Sequence, residues 1–158
     1  MANLVQTNIV NVMDPQRPVS QIMSKDLVKV LIDDSFEKVR SIFYEYDFHH
    51  IPVITEEQIL VGIISKKDLL DFEQKLSENT SGRTYSEMKR KNQSIAEVMT
   101  PNPLTLEPDD TIGLAADIIL ANKFHSIPIV FEFKLVGLIT SHDLIEFAFQ
   151  KVLATKSK

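Results

Sequence analysis

Two short segments of the sequence place a hydroxyl side chain and a carboxylate three residues apart. Ser65 precedes Asp68 in Gly-Ile-Ile-Ser-Lys-Lys-Asp-Leu, and Thr140 precedes Asp143 in Gly-Leu-Ile-Thr-Ser-His-Asp-Leu. Each segment reads as the end of a buried strand followed by the start of a helix. This spacing places both side chains at the N-terminal end of the helix, beside backbone N–H groups that have no partner within the helix. Such a pair either caps the helix or contacts a ligand there.

The composition excludes several classes of protein. With 158 residues, 44% of them hydrophobic and 25% charged, the chain is typical of a globular protein of one domain or two small lobes. The net charge of −5 disfavours a binder of nucleic acid duplexes, because phosphate neutralisation needs a basic surface. Cysteine is absent, which excludes disulfides and thiolate chemistry. Neither a membrane span nor a secretory signal is visible, so we expect a cytoplasmic protein without membrane contact.

The two segments belong to a longer repeat. Val-Ser-Gln-Ile-Met at 19–23 returns as Ile-Ala-Glu-Val-Met at 95–99, and Phe-His-His-Ile-Pro at 48–52 returns as Phe-His-Ser-Ile-Pro at 124–128. Self-similarity at this scale indicates two copies of one folding unit. The expected parts are an N-terminal arm at 1–18, a first copy at 19–75, a flexible polar linker at 76–94, a second copy at 95–150 and a tail at 151–158.

Each copy predicts the order strand, helix, strand, strand, helix, which makes the fold class α/β. Short apolar runs at 27–32 and 104–106 predict the first strands. Either the hydroxyl residues Ser35 and Thr111 or the aspartates before them can cap the helices that follow. A hairpin of two apolar runs then leads to a closing helix, which starts at the hydroxyl and carboxylate segment.

The element order, the His-x-Ile-Pro at 49–52 and 125–128, and the Gly-x-x-Ser/Thr-x-x-Asp into a helix resemble tandem cystathionine-β-synthase (CBS) domains. A pair of such domains is called a Bateman module, and the resemblance covers about residues 19–75 and 95–150. It implies two repeats packed through their sheets about a pseudo-twofold axis, with two clefts between them. It also implies adenosine nucleotides as ligands and pairing of modules into a disc-like homodimer.

The resemblance also implies roles for particular residues. A carboxylate, Asp68 or Asp143, would accept hydrogen bonds from the two ribose hydroxyls, and the hydroxyl residue before it would meet the ribose or the α-phosphate. Backbone groups at 25–28 and 102–105 would read the adenine, and the helix N-terminus would attract the phosphate. The complete set of expected ligand-binding residues is Ser65, Asp68, Thr140, Asp143, His49, His50, His125, Ser126, Lys25, Asn102, Lys66 and His142.

The residues before each Ile-Pro pair approach phosphates in the family and often include arginine. Here they are His49-His50 and His125-Ser126, so fewer fixed positive charges are available. This favours a monophosphate over a triphosphate, or a pH-dependent contact through histidine. Clustered histidines could instead hold a metal, but no cysteine partner accompanies them, and we expect no metal site.

The two hydroxyl and carboxylate segments differ in their neighbours. Thr140-Ser141-His142-Asp143 offers extra hydroxyl and imidazole donors, and we place it beside the proline-restricted segment at 100–103. This arrangement slightly favours the second segment, with Asp143, as the ligand site.

Two function classes remain open. The first is a stand-alone regulatory module that binds AMP, ADP or ATP and signals to an effector protein on another chain. The second is an interaction module whose clefts are empty or bind another ligand, such as a cyclic dinucleotide or S-adenosylmethionine. An enzyme is the least expected class, because no nucleophile lies beside a base and no glycine-rich phosphate loop is present. We also expect a homodimer, because modules of the resembled family pair and because some apolar helical residues lack an obvious place within one copy. Examples of such apolar residues are Ile112, Ile119, Phe147 and Phe149.

Overall fold

The computed structural model of the protein describes residues 14–78 and 94–154. Most of the predicted arm and linker, and half of the predicted tail, therefore lie outside the described residues. The first copy contains a short 3₁₀ helix followed by β1 to β3 and two helices: Val19–Gln21, β1 Val30–Leu31, α1 Phe36–Glu45, β2 His50–Ile54, β3 Leu60–Ser65 and α2 Lys66–Glu78. The second copy contains 3₁₀ helix Ile95–Glu97, β4 Thr100–Pro101, α3 Ile112–Asn122, β5 Ser126–Phe131, β6 Lys134–Thr140 and α4 Ser141–Ala154. In the sequence repeat β4 is aligned with residues 24–25 of the first copy and not with β1.

The predicted α/β class and the hairpins are confirmed. β2 and β3 pair antiparallel, as do β5 and β6, and α2 and α4 begin directly after Ser65 and Thr140. The first strand of each copy is shorter than predicted. In the first copy only Val30 and Leu31 pair with β2, and in the second copy a single parallel bridge joins Leu106 to Ile129.

Hydroxyl residues, and not the aspartates before them, cap the two middle helices. Ser35 Oγ accepts a hydrogen bond from the backbone N–H of Lys38 at 3.3 Å. In the second copy Thr111 Oγ1 accepts one from Leu114 at 3.1 Å. The preceding aspartates accept backbone hydrogen bonds within the turns before the helices, Asp34 from Leu31 and Asp110 from Glu107. Each helix start therefore uses both polar side chains, one for the helix and one for the turn.

The N-terminal segments of the two copies are exchanged. β4 belongs to the second copy by sequence but pairs antiparallel with β3 of the first, and Ser24 bridges Leu138 of β6 in the equivalent way. The buried side chains follow the same exchange: Ile95 lies in the core of the first copy, and Val19 lies in the core of the second. The sequence repeat and the packing unit are therefore offset, and neither copy completes its core alone.

Two apolar clusters form the core, one for each packing unit. Ile112 and Ile119 are only 0% and 7% exposed within the second cluster, so these two residues give no support to the expected dimer. Phe147 packs partly against the same cluster, whereas Phe149 is 55% exposed. Within the described ranges, no helix combines the length and the apolar character needed to cross a membrane.

Candidate functional site

Two clefts open between the copies, and each takes residues from both. Cleft A, of about 580 Å³, combines the first copy's segments at 24–28 and 47–50 with Thr140, Ser141 and His142 of the second. Cleft B, of about 350 Å³, combines Ser65 and Asp68 of the first copy with second-copy residues at 100–104 and 123–126. Both volumes lie in the range of small-molecule sites.

In cleft B, Ser65 and Asp68 form a reciprocal capping pair at the start of α2. Asp68 Oδ2 accepts hydrogen bonds from the backbone N–H and the hydroxyl of Ser65 at 2.8 and 2.6 Å. The Asp68 N–H in turn donates to Ser65 Oγ at 3.0 Å. Among the described residues, every hydrogen bond that this carboxylate accepts ends on Oδ2, so Oδ1 remains available. Capping and ligand binding are therefore compatible at this residue.

Thr140 and Asp143 repeat this capping pair at the start of α4, but the two copies differ in where the carboxylate lies. Asp143 Oδ2 accepts from the backbone N–H and the hydroxyl of Thr140, both at 2.7 Å. Thr140 lines cleft A, whereas Asp143 lines an adjacent pocket of about 220 Å³ together with Arg17 and Phe147. Only Asp68 thus shares one cleft with its own capping hydroxyl.

The segment exchange also determines which backbone segment faces each hydroxyl. Because Ser24 bridges Leu138, Thr140 lies beside residues 24–28 and not beside the proline-restricted segment at 100–103. That proline-restricted segment lies in cleft B, opposite Asp68. The sequence-based pairing of Thr140 with residues 100–103 is therefore wrong, and the preference for Asp143 loses that support and stays a prediction.

His50 and His125 lie on the wall that the two clefts share. Both residues line both clefts, and their ring centroids are 6.4 Å apart. Burial lowers the pKa of His50, the neighbouring imidazoles of His125 and His49 lower it further, and Asp68 opposes them. At neutral pH the His50 ring is therefore uncharged. In the sequence repeat His125 is aligned with His49 and not with His50. The sequence alone therefore did not predict that His50 and His125 lie close together.

The remaining predicted site residues fall into three groups. His49 and His142 line cleft A, and Asn102 and Ser126 line cleft B. The Ser126 hydroxyl is buried and has no hydrogen-bond partner among the described residues. Two predicted residues line neither cleft, Lys25 and Lys66. No group of three or more His, Asp or Glu side chains in ranges 14–78 and 94–154 is arranged to hold a metal ion.

Three charged residues at the clefts were missed by sequence reasoning. Asp26 and Asp47 line cleft A, and Lys123 lines cleft B. An alignment of the two copies would have drawn attention to them, because Asp47 is aligned with Lys123 and Asp26 with Asn102. The backbone of Lys123 adopts a left-handed conformation, with φ 56° and ψ 30°, where α3 ends.

Two α/β copies that exchange their first segments and enclose two clefts define a paired-repeat module. A family model described as the CBS domain matches residues 19–75 and 95–149, and the chain belongs to this family. The two matches give the tandem arrangement of CBS domains that the resemblance in the sequence implies.

Comparisons with individual proteins agree with this membership. The chain is 30% identical over 154 residues to the CBS domain-containing protein CBSX1, chloroplastic, of Arabidopsis thaliana, covering 84% of this chain and 64% of that protein. The chain spans less than two thirds of the length of the first such relatives, and only 23% of one of them. The relative's name places that protein in the chloroplast, so the cytoplasmic location expected here stays a prediction.

Two solved structures are similar over most of the chain. The crystal structure of CBSX2 in complex with AMP has a TM-score of 0.69 at 26% identity, covering 89% of this chain and 98% of that one. A CBS domain pair in complex with 5′-methylthioadenosine and S-adenosyl-L-methionine has a TM-score of 0.65 at 25% identity, covering 82% and 97%. Both neighbours therefore hold compounds that contain an adenosyl group.

Proposed function

We propose that the protein is a regulatory module that binds an adenosine nucleotide in cleft B and thereby changes its interaction with an effector protein. The observation that carries this proposal is the placement of Asp68, which lies in cleft B beside Ser65 and keeps Oδ1 available for a ligand. The structurally similar CBSX2, which was crystallised with AMP, supports the choice of ligand class. The proposed role is binding and not catalysis.

The chemistry of a ribose matches this arrangement. Two adjacent hydroxyls need acceptors, and the unused Oδ1 of Asp68 offers two lone-pair sites. Ser126 lines the same cleft, and its buried hydroxyl has no partner in the described part of the chain.

The first prediction is that nucleotide affinity depends on Asp68 more than on Asp143. Removing the carboxylate leaves ribose hydroxyls without charged acceptors, so Asp68→Asn should weaken binding about tenfold to a hundredfold. Asp143→Asn is the matched control, because Asp143 forms the same kind of capping pair but does not line cleft A. Calorimetry with AMP, ADP and ATP on wild type, both single variants and the double variant measures the effect.

Two outcomes of this experiment would contradict the proposal. If wild type binds none of the three nucleotides below the millimolar range, the nucleotide function fails and the interaction module takes its place. If wild type binds but the double variant binds equally well, a nucleotide ligand is retained but the assigned site is wrong. Thermal unfolding of each variant separates lost binding from lost folding, since both aspartates also cap helices.

We further propose that two copies of the chain pair through α2 and α4. Leu70 on α2 and Ile145 on α4 occupy equivalent positions in the two copies and are 50% and 58% exposed. Phe149, one turn further along α4, is 55% exposed. Apolar side chains at equivalent positions give a face with twofold character, which suits an isologous interface.

A further inference from the structure

The two clefts carry different fixed charges at equivalent positions. Shortly after the C-terminal end of the middle helix, the aligned positions carry Asp47 in cleft A and Lys123 in cleft B. The segment that enters from the other side contributes Asp26 to cleft A and the neutral Asn102 to cleft B. Aligned positions of the two copies thus give the two clefts different fixed charges.

Cleft A has a negative balance. Its lining contains two carboxylates, Asp26 and Asp47, and no lysine or arginine among the residues that the structure describes. The Lys66 ammonium lies 3.8 Å from the Asp47 carboxylate and offsets part of that charge. Arg17 belongs to the adjacent pocket, where its guanidinium lies 4.8 Å from the centre of the Phe147 ring. His50 lines both clefts, but it adds no positive charge at neutral pH because burial lowers its pKa.

Cleft B is lined by one negative and one positive side chain, which come from different copies. Asp68 lies at the start of α2, where the ribose is proposed to bind, and Lys123 lies on the second copy's side of the cleft. No ion pair holds the Lys123 ammonium within the described ranges. A nucleoside monophosphate has the same distribution of chemistry, with hydroxyls that donate at one end and an anion at the other.

We propose that the clefts select adenosyl ligands by charge: cleft B binds the phosphorylated form through Lys123, and cleft A binds an adenosyl compound without phosphate. This inference rests on the proposed function, because both clefts are taken to bind an adenosyl group. An uncharged or cationic ligand suits cleft A, since Asp26 and Asp47 would repel a phosphate and attract a sulfonium or an ammonium group. The charge at position 47 or 123 therefore determines which ligand each cleft accepts.

The experiment compares AMP with adenosine, which differ only in the phosphate, by calorimetry on proteins with one cleft disabled. Ser141→Trp places a bulky side chain in cleft A and leaves the lining of cleft B unaltered, and there AMP should bind more tightly than adenosine by about three- to tenfold. Adding Lys123→Asp should reduce that ratio to about one or below, while Lys123→Arg should preserve it. Lys134→Asp, which changes an exposed lysine outside both clefts, controls for net charge.

The converse change tests cleft A. In the Asp68→Asn background, adenosine should bind at least as tightly as AMP, and Asp47→Lys should raise AMP affinity about three- to tenfold. Equal ratios of AMP to adenosine affinity in both backgrounds, unchanged by the substitutions at 47 and 123, would overturn the inference and leave the proposed function intact. Failure of wild type to bind either compound would overturn both.

Discussion

Asp68 and Asp143 each take two hydrogen bonds from one hydroxyl residue through a single carboxylate oxygen. Oδ2 therefore caps the helix, and Oδ1 remains free to accept a hydrogen bond from another donor. A side chain with this division can support a helix and bind a ligand at once, which is why the same three-residue spacing fits both roles. The position of the carboxylate in a cleft, and not the spacing, distinguishes Asp68 from Asp143.

At the same scale, His50 should make the fold sensitive to acid. Its pKa is lowered in the folded state from the ordinary value of 6.5, chiefly by burial. Below about pH 6.5, His50 is therefore protonated to a greater extent in the unfolded chain than in the folded chain. The free energy of unfolding consequently falls as the pH drops below this value. We expect His50→Gln to lose less thermal stability than wild type between about pH 7.5 and about pH 5.5.

Thermal denaturation followed by circular dichroism at the two pH values measures this effect. His142→Gln is the matched control, because His142 also lines cleft A but is exposed at the start of α4. If His50→Gln and wild type lose the same stability on acidification, burial of the imidazole has no role in the acid response.

At the scale of elements, the exchanged N-terminal segments depend on two glycines in the hairpins. A Cβ atom at Gly62 of β3 would overlap Met99, which follows the exchanged 3₁₀ helix of the second copy. A Cβ at Gly137 of β6 would overlap Met23 in the equivalent way. The glycine of each repeated motif thus makes room for a methionine from the other copy, which explains why a strand interior accepts the residue.

Gly62→Ala should therefore destabilise the protein by about 1–3 kcal/mol through overpacking. The added methyl meets not only the flexible Met99 side chain but also the Thr100 carbonyl oxygen, 3.1 Å away. Adding Met99→Ala to Gly62→Ala should recover part of the lost stability, because it removes the Met99 side chain that the added methyl group overlaps. Urea unfolding of the two single variants and the double variant measures this coupling; strictly additive losses would show that the two residues do not compete for space.

Local signals were enough to predict most elements but not their pairing between copies. The starts of α2 and α4 were correctly predicted because Ser65 and Thr140 carry a helix-capping pattern in the sequence itself. The exchange of residues 19–24 and 95–101 was not predicted, because an apolar segment fits the core of either copy equally well. The contact of His50 with His125 depends on that packing, so no spacing within one copy could show it.

At the scale of the whole molecule, both halves present apolar side chains on their closing helices. Leu70 and Ile145 are half exposed at equivalent positions, whereas the buried faces of α2 and α4 supply Leu69 and Leu144 to the cores. A helix that is apolar on both faces is expected where one face meets the core and the other meets a partner. The exposed face, not the residues Ile112 and Ile119, therefore carries the argument for a dimer.

The last prediction is that Leu70→Glu combined with Ile145→Glu converts a homodimer into a monomer. Each substitution places a charge in an interface of upward of about 1,000 Å², and unpaired buried charges are strongly unfavourable. Sedimentation velocity at micromolar concentration should show a dimer for wild type and a monomer for the double variant. Leu120→Glu is the matched control, because Leu120 is 78% exposed on α3. A wild-type protein that sediments only as a monomer would refute the pairing, and a double variant that remains dimeric would place the interface on another face.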